Sequence, residues 1–208
     1  EPYIPYIPDH WNGVLVLAES QNLSKGNKNY VEKLQAMTTN ERILRLYQGE
    51  KLIGVQPWDD GSLKLAIEAA TQYNAKDTGI SNAVLWSLRS ESGANKNPDK
   101  KLIDQSVEVW KAFALELNPK LVFAAGRIAQ NVVERALGET HKNVIIKVRL
   151  PSKQSISRVS GMFSEADLVE RYPEVKKVIE AHPEWLLDFR QNKIFFACHV
   201  LSIFSKRQ

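Results

Sequence analysis

Glu19, Ser20, Gln21 and Asn22 follow directly on the apolar run Val14-Leu15-Val16-Leu17. Open α/β sheets bind ligands just outside the carboxyl ends of their strands. A carboxylate and two amides at that point are therefore candidates for chemistry. A fixed carboxylate there can stabilise positive charge, or orient and deprotonate a water. The alternative is an ordinary solvated strand-to-loop turn. Asn82, within Ile80-Ser81-Asn82-Ala83-Val84, carries one acceptor oxygen and two donor hydrogens on a single amide. Its alternative is an amide that satisfies backbone at a strand end. Trp58, between Pro57 and the pair Asp59-Asp60, offers a ring suited to stacking, or else a core side chain under the helix that follows.

These residues need a scaffold, and the periodicities predict one. Four short apolar runs read as strands: 14–17, 79–85, 120–125 and 143–148. Continuous apolar runs of this length suit strands covered on both faces. Helical spacing separates them. Leu63, Ala66, Ile67 and Ala70 share one face, and Ile103, Val107, Trp110, Ala114 and Leu117 another. A third helix carries Ile128, Val132, Val133 and Leu137. Thr39-Asn40-Glu41 predicts a helix start, Pro119 a stop, and Ser164 with Asp167 a cap. Further helices fall at 165–181, interrupted at Pro173, and at 193–204. Residues 18–22 and 87–101 read as loops. The fold expected is α/β: a three-layer α/β/α sandwich around a mostly parallel, roughly four-stranded sheet. All 208 residues fit one domain, with residues 1–11 an extended Pro-rich arm and residues 183–208 a helical extension.

The totals limit the function classes. No apolar run is long enough to span a membrane. The amino end lacks a basic start and an apolar core, which argues against a signal peptide. Cys198 is the single cysteine, so an internal disulfide and an all-cysteine metal or iron–sulfur site are excluded. His10, His141, His182 and His199 show no ligand spacing. No metal and no cofactor are expected. The net charge of +4 and a pI near 9.1 point mildly to a polyanionic partner.

Four segments, in order, resemble the uracil-DNA glycosylase superfamily, and most closely its thermophilic iron–sulfur-type branch. Ala18-Glu19-Ser20-Gln21-Asn22 stands where the family has a Gly-Glu-Ala-Pro-Gly type motif. Gln56-Pro57-Trp58 stands where it has a Pro-Phe pair. Ile80-Ser81-Asn82-Ala83-Val84 is similar to its Ile-Thr-Asn-Ala-Val, and Leu117–Ala129 to its Pro-Lys-(apolar)-Gly-Arg-x-Ala. Three departures stand out. Leu150-Pro151-Ser152 lacks the histidine of the family's His-Pro motif, the first motif lacks its Pro, and the cluster cysteines are missing.

The resemblance implies a cytoplasmic, monomeric DNA glycosylase. It would hydrolyse the N-glycosidic bond of a flipped-out, non-standard pyrimidine, either uracil or a modified cytosine of the bulky kind phages install. Glu19 would be the catalytic carboxylate. Trp58 would stack on the base, Asn82 would read its edge, and Ser20 and Gln21 would line the pocket. Ser152, Lys153, Gln154, Ser155 and Arg158, with Arg89, would hold the DNA. Without the histidine, the leaving base would be met by amides of residues 152–155, by Arg149 or by Lys153. A module that binds modified DNA without cleaving it is the other reading.

Overall fold

The computed structural model describes residues 5, 7–23, 32–33, 36–42, 44, 61–89, 97–149 and 161–207, with residues 20–23, 87 and 89 described by backbone alone. Its centre is a four-stranded, fully parallel sheet. The strands are β1 (Val14–Leu23), β2 (Gly79–Arg89), β3 (Leu121–Ala125) and β4 (Ile145–Val148), in the order β2-β1-β3-β4. The α/β sandwich expected from the periodicities is the architecture found.

Successive side chains of a strand point to opposite faces, and the two cores divide accordingly. Val14, Val16, Ile80, Phe123, Ala125, Ile146 and Val148 face α1 (Ser62–Thr71), α4 (Glu165–Arg171), α5 (Pro173–Ala181) and α6 (Arg190–Ser205). Leu15, Leu17, Val122, Ala124 and Ile145 face α2 (Lys100–Leu117) and α3 (Arg127–Leu137). Because both faces are covered, the strands read as unbroken apolar runs rather than alternating ones.

Local chemistry sets the helix ends. The Asp99 side chain accepts from the Leu102 amide at 2.9 Å and starts α2. Asn118, at φ 43°, ends it ahead of Pro119. Ser164 caps α4 by accepting from the Asp167 amide at 3.1 Å, and Pro173 opens α5 as its first residue, so the 165–181 stretch is two helices. The early helical turn starts one residue before the sequence signal. Thr38 is its cap, and Thr38 and Glu41 form a reciprocal capping box.

Two strands run longer than expected. β1 does not stop at Leu17 but continues to Leu23, and β2 continues to Arg89. Beyond Ala18 the two pair with each other, Ser20 opposite Val84 and Leu23 opposite Arg89, after β3 has ended at Ala125. The outer edge of β2 is closed by α2: Trp110 donates to the Ala83 carbonyl at 2.9 Å, and the Leu85 amide donates to Ser106 Oγ at 3.3 Å.

The amino-terminal arm packs against the body at the other end of the strands. Trp11 donates to the Val14 carbonyl at 2.8 Å, and Ile7 joins the α2–α3 core. Residues 183–208, outside the resemblance, supply α6, whose Ile194, Phe196, Ala197, Val200 and Leu201 are part of the core. Among the described residues no helix is long and apolar enough to cross a membrane.

Candidate active site

From β1 the chain passes to α1 on one face of the sheet; from β3 it passes to α3 on the other. β1 and β3 are neighbours. The gap between their carboxyl ends is therefore the topological switch point, where doubly wound sheets hold ligands. Glu19 lies in that gap. It is two residues beyond Leu17, so the alternation turns it to the α3 face.

There it meets the start of α3. The Ile128 amide donates to Glu19 Oε1 at 3.2 Å. This is one of the first-turn N–H groups that a helix cannot satisfy internally, at the positive end of its dipole. Such an arrangement stabilises a carboxylate by roughly 0.3–1 kcal/mol. Gly126 makes the approach possible. Its φ is +95°, and a Cβ built on it would lie 2.5 Å from Glu19 Oε1 and 2.7 Å from Glu19 Cγ. The first and fourth segments of the family resemblance thus meet in space.

Asn82 stands opposite Ala18, next to Glu19 along the chain of β1. It is 4% exposed. Its register with Ala18 and the neighbouring Ile80–Val16 pair put it on the α1–α6 face, so the side chains of Glu19 and Asn82 point to opposite faces of the sheet. Ser81, on the Glu19 face, has a buried Oγ with no partner among the described residues. Ser20 and Gln21 are strand residues with a β-bulge between Ser20 and Asn22, and Arg89 is the last residue of β2. Trp58, Ser152, Lys153, Gln154, Ser155 and Arg158 lie outside the described residues.

Arg127 is exposed at the first position of α3. Arg149 is exposed after the end of β4. Burial lowers the pKa of His199 on α6, and the charges of Arg149 and Lys206 lower it further. The Gly126 seat and the Ile128 amide escaped the sequence reading. A Gly-Arg pair after an apolar run was their only signal, and a main-chain donor has none.

A separate cleft of about 390 Å³ lies between α1 and α5, lined by Glu68, Gln72, Tyr73, Lys177 and His182. It is near the opposite end of α1 from the switch point. Glu68 Oε2 lies 3.6 Å from His182 Nε2, whose ring stacks on Trp185 at 4.0 Å between centroids. Burial raises the Glu68 pKa, partly offset by His182, the Ala75 amide and Lys76. Among the described residues no cluster of three His, Cys, Asp or Glu side chains is arranged to hold a metal ion.

Comparison with family models, with curated proteins and with solved structures finds no match to this chain.

Proposed function

We propose that this chain is a monofunctional DNA glycosylase that hydrolyses the N-glycosidic bond of a flipped-out, non-standard pyrimidine. The observation that carries the reading is the position of Glu19: at the switch point, on an α3 amide, over a glycine that leaves room for it. The ordered family segments name the reaction class. Cleavage of the bond develops positive charge on the sugar, which a held carboxylate stabilises. Glu19 accepts a proton from a water whose oxygen bonds to C1′. The C1′–N bond breaks, and its electron pair leaves with the base, which takes up a proton. The reading includes no Schiff-base lysine, and so no strand-cleaving step.

Uracil and a bulky modified cytosine are the two substrate classes. The second fits the missing Pro of the first motif, and it would make the protein an antiviral factor rather than a repair enzyme. The test is a panel of oligonucleotides carrying uracil, hypoxanthine, hydroxymethylcytosine or its glucosylated form, with alkali to reveal abasic sites. One substrate should be cut, and Glu19→Gln should cut it at least 100-fold more slowly. Full activity in Glu19→Gln ends the mechanism. Asn82→Ala is a separate arm: unchanged excision would remove Asn82 from the site and leave Glu19 in it.

Leu150, where the family has a histidine, favours a second reading, a module that recognises modified DNA without cleaving it. Tight binding with no abasic product across the panel would support that one.

A further inference from the structure

The cleft between α1 and α5 holds a carboxylate that its surroundings leave short of positive charge. Glu68 sits in the last turn of α1, at the negative end of the helix dipole, and no basic residue shares that turn. Its side chain is 14% exposed. Oε2 is covered from solvent, yet among the described residues it has no hydrogen-bond partner. Such an acceptor is costly to leave without a donor. His182 goes part of the way. Its Nε2 stands 3.6 Å from Oε2, beyond hydrogen-bond reach. The ring is held in that position: Nδ1 lies 3.2 Å from Glu184 Oε1, and one face stacks on Trp185 with 6° between the planes. One imidazole is therefore shared by two carboxylates, and it does not close on Glu68. The charge of Lys76 also acts on Glu68, but burial outweighs it.

The cleft has the size and the walls of a ligand site. Its volume of about 390 Å³ falls in the range of small-molecule pockets. Ala69, Pro173, Val178 and Ala181 supply apolar wall, and Tyr73, half exposed, adds an aromatic ring. Aromatic faces attract cations. Among the described lining residues two carboxylates, Glu68 and Glu174, stand against one lysine, Lys177. An anion entering here would meet both carboxylates and the negative end of α1. A neutral apolar molecule would leave the Glu68 acceptor unmet. A positive charge with N–H donors on an apolar body answers every feature at once.

We propose that the α1–α5 cleft binds a small organic cation, whose N–H group is received by the Glu68 carboxylate and whose apolar body rests on Tyr73 and the aliphatic wall. The site is separate from Glu19 and does not depend on the glycosylase reading. A ligand there ties α5 to α1, and so stabilises the folded chain in proportion to its occupancy.

The test uses the full chain at pH 8 with benzylamine as the probe, and benzyl alcohol and benzoate as its neutral and anionic counterparts. Benzylamine should bind saturably in calorimetry, at one site per chain, and should raise the melting temperature as its concentration rises. The two counterparts should do neither. Glu68→Gln should weaken benzylamine binding by about 10-fold or more, as a charged acceptor becomes a neutral one. Ala181→Leu, at an exposed position of the wall, keeps every charge and should weaken binding by taking up space. Lys111→Ala, on α2 and outside the cleft, should match the wild type. Melts without ligand check that each variant is folded. Equal binding of benzyl alcohol or benzoate overturns the proposal. So does benzylamine binding that a folded Glu68→Gln variant keeps in full, or its absence at millimolar concentration in the wild type. No arm reads excision, so failure here leaves the glycosylase reading standing.

Discussion

Glu19 and Gly126 meet at the switch point between β1 and β3, so close that a Cβ on the glycine would fall 2.5 Å from the carboxylate oxygen. Gly126 has φ 95° and ψ 166°, a region open in practice to glycine alone. Gly126→Ala should therefore lose about 1–3 kcal/mol of stability from the backbone, with a further loss from the displaced carboxylate. In a double-mutant cycle read by urea unfolding, Glu19→Ala should relieve part of the damage done by Gly126→Ala. Strict additivity would show that the two do not touch.

Glu68 is held in a cleft where burial outweighs its attraction to His182, the Ala75 amide and Lys76. Its folded pKa is raised above the ordinary 4.5. The stability it contributes is present below that value, when it is protonated in both states, and is lost as pH rises through the folded pKa. Glu68→Gln keeps an acceptor for Ala75 and removes the buried charge. It should raise the melting temperature at pH 7, with the gain vanishing below about pH 4. A lower melting temperature at pH 7 would mean that the His182 attraction dominates.

Cys198 sits inside the α1–α6 core, and burial pushes its thiol pKa up to about 12. A thiol reagent at pH 8 should leave the native protein unlabelled and should react once urea unfolds it. Fast labelling of the native chain would show that α6 opens readily.

Trp110 is fully buried and donates to the Ala83 carbonyl on the outer edge of β2. Trp110→Phe keeps most of the ring packing but leaves that carbonyl unpaired away from water. The expected cost is about 1–3 kcal/mol. A neutral result in urea unfolding would indicate that water reaches the edge. Trp110→Ala should cost about 3–5 kcal/mol.

Several features were legible along the chain. Apolar runs bounded by polar turns marked the strands, and a 3.6-residue spacing marked α1, α2 and α3, because element type is written in local periodicity. Ser164, Pro173 and Pro119 acted where they stood, since caps and prolines work through their own backbone and near neighbours. Glu19 stood out because it follows an apolar run.

Contacts between distant segments were not legible. Whether β1 ends at Leu17 or runs to Leu23 depends on whether β2 continues beside it, and nothing local to residues 18–23 encodes that. The face each residue takes follows from register, so Glu19 and Asn82, both polar and both near strand ends, come to opposite faces of the sheet. The hydrogen bond that holds Glu19 comes from an amide 109 positions away. Residues 183–208 looked like an appendage because a helix reads alike whether it packs on the sheet or projects from it. By itself, the order of residues determined the kind of elements and the ends of several helices, through interactions that span a few positions. Tertiary structure alone decided which carboxylate meets which amide, because pairing and register are settled only when segments far apart in the chain bury one another's apolar faces.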